Sequence, residues 1–327
     1  MTDGPRVRPG DQAPRESDSS HSRGAFSGSV HESAGGVYVV HLDRDGRVEA
    51  TLRGRLKRSG RNAGQVVIGD RVRVARSGET WTVEDVEPRR TALVRRGRGG
   101  RAGRVLVANL DRVLAVVALR DPPASPDLVD RLLALVESSG MRPVLTVNKI
   151  DLADDPSEVN ALVEPYRALG YEVLAVSART GEGVDALRER CRTGSSALVG
   201  PSGVGKSSLL NALEPGLSLK VAELSRKTGT GRHTTVGSRL IALEAGGLVA
   251  DTPGFSDVAL WGVDPEEVEA CFPEIADKAE GCRFRSCTHL HEPGCAVREA
   301  LDEGRISASR YESYRTLRAD AEEAADR

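Results

Sequence analysis

The chain has 327 residues and a formal net charge of −2, which fits about two domains with a sizeable core and by itself calls for no polyanionic partner. No window approaches the roughly 18 apolar residues of a membrane span, and the first thirty residues hold no apolar core before a cleavage site. A membrane-spanning or secreted protein is therefore not expected, and a cytoplasmic one is.

Residues 1–34 are rich in Ser, Gly, Pro, Arg and Asp, with Phe26 as the one aromatic. Such a stretch buries too little apolar surface to offset its ordering entropy, so a disordered tail is expected. From Gly35 the texture changes. Segments 36–42, 48–52, 65–68, 71–74 and 80–86 are short and β-branched, with turn dipeptides such as Asp45-Gly46 and Ser77-Gly78 between them. Five such strands predict a small OB-fold β-barrel over 35–94.

Arg53, Arg55, Lys57, Arg58, Arg61, Arg71, Arg73 and Arg76 lie among these strands, and within 51–76 only Asp70 opposes them. Arg89, Arg90, Arg95, Arg96, Arg98, Arg101 and Arg104 follow, centred on a basic linker over 95–104. Together they predict an electrostatic footprint for RNA backbone. Stacking aromatics are scarce, essentially Tyr38 and Trp81, so shape and phosphate recognition is expected over base stacking.

Over 105–262 strands and helices alternate, which predicts an α/β domain. The run Val113–Leu119 is apolar throughout, as a strand buried on both faces should be. Each polar motif that follows sits just after a predicted strand, where open α/β sheets place their ligands. Asn148, Lys149, Ile150 and Asp151 have the form of a guanine-reading motif, and Ser177 with Ala178 that of its supporting loop. A carboxylate at Asp151 accepts from the ring N–H and exocyclic amine of guanine together; adenine lacks that pair. The stem of Lys149 would cover the base.

Gly200, Pro201, Ser202, Gly203, Val204, Gly205, Lys206, Ser207 and Ser208 then form a phosphate-binding P-loop. Its glycines let backbone N–H groups close round phosphates, Lys206 reaches the terminal ones, and the Ser207 hydroxyl suits Mg²⁺. Asp251 and Gly254 of Asp-Thr-Pro-Gly suit a metal-linked carboxylate and a γ-phosphate contact. Between them lies a polar, glycine-rich switch in which Thr234 or Thr235 would complete the metal shell. Where many such enzymes carry a water-orienting glutamine this chain has Phe255, which predicts slow intrinsic hydrolysis; His233 in the switch is the nearest catalytic candidate.

The order of these motifs is the sequence's sharpest statement. In an ordinary small GTPase the P-loop precedes the guanine motif; here it follows. A circularly permuted P-loop GTPase is predicted, binding GTP and GDP.

The remaining segment, 263–327, holds Cys282, Cys287, His289 and Cys295. Three thiols and an imidazole within fourteen residues suit one closed, structural Zn²⁺ site. Ala296–Asp302 and Ser307–Ala324 read as helices, giving a small, mainly helical zinc-binding domain. Cys191 and Cys271 read as packed thiols.

The elements from about 35 to 320, taken in this order, resemble the ribosome small subunit-dependent GTPase A family (RsgA/YjeQ). The resemblance rests on the basic barrel with Val67–Val72, on Asn148–Asp151, on Gly200–Ser208, on Gly231–Thr235, on Asp251–Gly254 and on the Cys-Cys-His-Cys knuckle. It implies a role in late maturation of the small ribosomal subunit, rRNA contacts, and hydrolysis stimulated by the subunit. It also implies that His233 serves hydrolysis. The tail and the arginine linker fall outside the common pattern. A monomer is expected, with no oligomerisation repeat in view. The competing reading is an RNA-binding scaffold with a weak or vestigial nucleotide switch. Because the Asp251 switch directly precedes the zinc domain, loss of the γ-phosphate is expected to reposition that module against the barrel.

Overall fold

Strands near the N-terminus close on themselves. The computed structural model describes residues 25–44, 46–54, 66–95, 104–217, 238–251 and 263–326. In it β1 (Ala25–Ala34), β2 (Val37–Leu42), β3 (Arg47–Leu52), β4 (Arg71–Ser77) and β5 (Thr80–Val86) pair in the order β1-β2-β3-β5-β4 and back to β1. Every pairing is antiparallel except β3 with β5, and the inward positions Val30, Val40, Ala50, Val72, Val74 and Val83 fill the interior. This is the OB-type barrel.

Two strand expectations need correction. Residues 25–34, assigned above to a disordered tail, form β1, the strand that closes the barrel; residues 1–24 lie outside the described residues. The strand was hidden because Ser27, Gly28 and Ser29 replace the usual β-branched residues: a Cβ at Gly28 would stand 2.4 Å from the His41 carbonyl oxygen. Conversely, 66–68 is no barrel strand. Val66 still packs in the barrel interior, while Ile68 bridges to Val107.

The arginine footprint is also altered. Arg53 pairs with Glu84, Arg71 with Asp43 and Glu87, Arg73 with Asp85, and Arg47 with Glu32. These acids lie outside the 51–76 window but meet its arginines across the strands. Arg55, Lys57, Arg58 and Arg61 lie outside the described residues. Tyr38 is buried in the barrel core and offers no face for stacking.

The segment 95–104 is not a free linker at its ends. Arg95 and Arg104 pair across a hairpin of β6 (Ala92–Arg95) and β7 (Arg104–Ala108); 96–103 lie outside the described residues. Leu93 and Val107 of this hairpin join Ile68 in the core of the next domain. Arg89 forks onto the fully buried Asp70, whose carboxylate also accepts from Val67 N. A buried arginine–carboxylate fork fixes the junction geometrically. Gly69 beside it has φ +85°, and a Cβ there would strike the Ala108 carbonyl at 1.8 Å.

The α/β domain has parallel strands in the order β10 (Glu172–Ala175), β9 (Arg142–Asn148), β8 (Arg112–Ala118), β11 (Ser195–Val199), β13 (Leu248–Asp251), with antiparallel β12 (Ser238–Ala242) at the end. Alternate residues of β8 face opposite layers, which explains its unbroken apolar run. Val113, Ala115 and Val117 meet α1 (Pro126–Ser138) and α2 (Pro156–Ala168). Leu114, Val116 and Ala118 meet α3 (Val184–Cys191) and α4 (Lys206–Leu213). Ser125 caps α1, accepting from Leu128 N at 3.2 Å, and Asp155 caps α2, accepting from Ser157 N at 2.7 Å. Strand β12 pairs on its other edge with β1, Glu32 opposite Arg239, so the barrel and the α/β sheet are continuous.

Helices α5 (Pro273–Ala279), α6 (Ala296–Asp302) and α7 (Ala308–Asp326) surround a small core of Phe272, Ile275, Val297, Tyr314 and Leu317 that also takes in Ala134 of α1. Arg310 of α7 is buried between domains. It donates to Asp130 of α1 at 2.8 Å and to Glu274 of α5 at 2.6 and 3.1 Å, with Phe272 under its guanidinium at 4.5 Å. The Tyr166 hydroxyl of α2 also donates to Asp130 at 2.9 Å. This buried network fastens the zinc-binding module to the α/β domain. Zinc module and α/β domain are thus packed against each other, sharing Ala134 and the Arg310 network.

Candidate functional site

The guanine motif, its supporting loop and the P-loop meet at the C-terminal end of the parallel strands. Asn148 ends β9 and is 1% exposed. Its Nδ2 donates to Val204 O of the P-loop at 2.8 Å, and its Oδ1 accepts from Ala178 N at 3.1 Å. One amide side chain thus ties three separate segments. Gly205, φ +95°, is required beside it: a Cβ there would lie 2.3 Å from Asn148 Nδ2.

Asp151 follows on a short 3-10 turn, Ile150–Leu152. One carboxylate oxygen accepts from the Ser177 hydroxyl at 2.5 Å, and Arg179 reaches the other at 2.6 Å. The Ser177 hydrogen bond, then the Arg179 charge, hold the Asp151 carboxyl below its ordinary range. Lys149 has left-handed backbone, φ 60°, and its ammonium donates to the Asp121 carbonyl, stretching its stem along the pocket side.

In the P-loop, β11 ends at Val199 and α4 begins at Lys206, so the helix N-terminus faces the loop. Lys206 is largely buried, and its ammonium donates to Gly200 O at 2.8 Å and Pro201 O at 2.7 Å. No carboxylate accompanies it among the described residues, and burial brings its pKa down to about 8. A buried cation held only by carbonyls is arranged to receive an anion. Ser207 and Ser208 stand on the first turn of α4. Asp251 ends β13 and pairs with Arg239 of β12 at 3.3 Å. His233, Thr234, Thr235 and Gly254 lie outside the described residues. For Mg²⁺, the oxygen donors of Ser207 and Asp251 are of the chemical type the ion takes.

The metal ligands converge as their spacing predicted. Cys282 Sγ, Cys287 Sγ, His289 Nδ1 and Cys295 Sγ all lie within 4.8 Å of one another. His289 turns its Nδ1 to the thiols, 3.5 Å from Cys282 and 3.4 Å from Cys295, while Nε2 meets Glu269 at 2.8 Å. That carboxylate fixes the tautomer in which Nδ1 carries the free lone pair. Tyr311 and Tyr314 hydroxyls donate to the His289 and Thr288 carbonyls. The donor set fits one tetrahedral zinc ion. Burial pushes the Cys287 thiol up to about 12, so a cation is what would hold it as thiolate.

Sequence reasoning missed Arg179, Arg239 and Glu269. The first directly follows Ser177-Ala178, and its charge beside a base-reading aspartate was a usable signal. The other two act across a hairpin and across a domain, where no local pattern reveals them.

Fold and site together define a circularly permuted P-loop GTPase with an OB barrel before it and a zinc-binding module after it. A family model described as RsgA GTPase matches residues 86–261. The small ribosomal subunit biogenesis GTPase RsgA of Gemmatimonas aurantiaca is 47% identical over 296 residues, covering 89% of this chain and 96% of its own length. The protein of that name from Moorella thermoacetica is 43% identical over 299 residues, covering 90% and 97%. Among solved structures, YjeQ from Thermotoga maritima superposes with a TM-score of 0.73 at 33% identity, covering 91% of this chain and 98% of that one. YloQ, a circularly permuted GTPase, gives 0.71 at 28%, covering 94% and 98%. The chain belongs to the RsgA GTPase family.

Proposed function

We propose that this chain hydrolyses GTP to GDP and phosphate and uses that cycle in the biogenesis of the small ribosomal subunit. The observation that carries the reading is Asn148, which joins the guanine motif, its supporting loop and the P-loop into one pocket. The family and the names of relatives that span nearly the whole chain support the same reading.

Within it, Asp151 reads guanine, exchanging Arg179 for the base, and Lys149 covers the base face. The backbone of Gly200–Gly205 and the N-terminus of α4 receive the phosphates, with Lys206 on the terminal ones. Ser207 and Asp251, with Thr234 or Thr235, hold the Mg²⁺ that accompanies GTP. When bound there, the ion would supply neutralisation of phosphate charge. Gly254 contacts the γ-phosphate, and His233 serves hydrolysis once the subunit is bound, in keeping with Phe255 at the usual glutamine position. Cys282, Cys287, His289 and Cys295 hold one structural zinc. The partner is the small subunit through its rRNA; the chain works as a cytoplasmic monomer. Among the described residues no helix is long and apolar enough to cross a membrane. The scaffold alternative is not favoured, since relatives that span nearly the whole chain carry the GTPase name.

The test is GTP hydrolysis by the purified protein alone, with small subunits, and with large subunits. Stimulation by small subunits only is the expected result; equal rates in all three would overturn the ribosomal part of the reading. Subunit affinity should also be higher with a non-hydrolysable GTP analogue than with GDP.

A further inference from the structure

The tip of the zinc knuckle carries chemistry that neither the metal ligands nor the nucleotide pocket uses. Arg283, Phe284, Arg285 and Ser286 are all exposed between Cys282 and Cys287. Phe284 is 43% exposed and takes no part in the core beneath it. Phe26, comparably exposed on the barrel, leans edge-on against Trp81 with centroids 5.2 Å apart. Phe284 meets no other ring among the described residues; only the Arg283 guanidinium lies over it, 5.5 Å from the centroid.

The tip is held in place. Arg283 N donates to Gly294 O at 3.1 Å, and Cys287 N donates to Phe284 O at 3.3 Å, closing a turn. Its charge is uncompensated. Arg283 and Arg285 form no ion pair among the described residues, whereas the barrel arginines Arg53, Arg71 and Arg73 each have a carboxylate. Residues 281–291 contain no acid, and the exposed Glu280 just before them forms no ion pair with either arginine among the described residues. Glu292, the next one, is turned inward and accepts from Thr288, Leu290 and His291.

From this geometry we infer that the knuckle tip is a stacking site for one unpaired base of single-stranded RNA, with Arg283 and Arg285 on the flanking phosphates. The inference rests on the reading that the partner is ribosomal RNA, and deepens it by naming a contact. An aromatic face is sequence-tolerant for stacking, and a cation on either side of it tracks the backbone. An acidic protein loop would be served by the arginines without a presented ring. A lipid surface would need more than one apolar side chain.

The test uses the full-length, zinc-loaded chain, with zinc content checked in every variant as the control for folding. The probes are a fluorescent 12-nucleotide single-stranded RNA, the same length of duplex RNA, and isolated small subunits. Phe284→Ala and Phe284→Leu should each weaken single-strand binding about five- to hundredfold, while Phe284→Trp should match wild type. Arg283→Gln with Arg285→Gln should lower the slope of log affinity against log salt by about 1.4. Duplex binding should change less than twofold in the Phe284 variants. Equal single-strand binding by wild type and Phe284→Leu overturns the inference. So does equal loss on duplex RNA, or loss on subunits with no single-strand binding by wild type, which would mark a protein contact. Failure of wild type to bind subunits while it binds single strands through Phe284 would instead sink the ribosomal reading and leave the site standing.

Discussion

Replacing Asn148 by alanine should disable the nucleotide pocket without touching a group that contacts phosphate. The substitution removes two hydrogen bonds, to Val204 O at 2.8 Å and from Ala178 N at 3.1 Å. Val204 is buried, so its carbonyl is left unsatisfied at about 1–3 kcal/mol. Ala178 is half-buried and its N–H can recover water, which limits that loss to about 1 kcal/mol. The total of about 2–4 kcal/mol, exerted on segments that must be in register to bind nucleotide, corresponds to a fall in GDP affinity of roughly 30- to 1000-fold. Titration of a fluorescent GDP analogue measures it, with far-ultraviolet circular dichroism confirming that the fold survives. Asn148→Asp is the companion: it keeps the acceptor for Ala178 N but sets an oxygen against Val204 O, and should lose about as much. GDP affinity within twofold of wild type in both variants would refute the claim that this amide organises the site.

Other outcomes follow from the same geometry. Lys206 sits at about 8 in the nucleotide-free protein because it is buried, and bound phosphates must raise that value. Below pH 8 the ammonium is already present and GDP affinity should be flat; above it binding must first take up a proton, so affinity should fall between pH 8 and 9, and a flat profile over pH 7–9 would refute this. Glu269→Gln should weaken zinc about 10- to 100-fold in a competition with a chromophoric chelator, because the carboxylate orients His289; unchanged affinity would make Glu269 incidental. Arg310→Met strands Asp130, which is fully buried, at a cost of about 3–5 kcal/mol, visible as a lowered melting temperature of the zinc-loaded protein. Arg310→Lys should rescue little, since only a guanidinium reaches Asp130 and both Glu274 oxygens at once.

The parts of the site that were legible in the sequence are those whose chemistry fixes their own spacing. A P-loop needs its glycines and lysine in one short segment, and the zinc knuckle needs its ligands within one tight loop. The inverted order of guanine motif and P-loop sufficed to foresee the permutation. What was illegible depends on partners distant in sequence. Strand β1 carries Ser27, Gly28 and Ser29, whose reason for being there is a neighbouring strand's carbonyl. The barrel arginines looked unopposed because Asp43, Glu84, Asp85 and Glu87 approach them across the sheet. Arg310 and Asp130 lie 180 residues apart, beyond any window that reads local periodicity.

The pairing of β12 with β1 has a consequence for how this chain can be taken apart. A β-strand edge stripped of its neighbour is a template for another chain. Excising the barrel with its hairpin would bare β12 and take Ile68, Leu93 and Val107 out of the α/β core, opening the rest of that core to water. A fragment cut before the first strand of the α/β domain is therefore expected to aggregate, and the barrel alone to stick through β1. The permuted enzyme and its N-terminal barrel were not assembled as beads on a string: they share a hydrogen-bonded seam, and neither is a finished surface without the other.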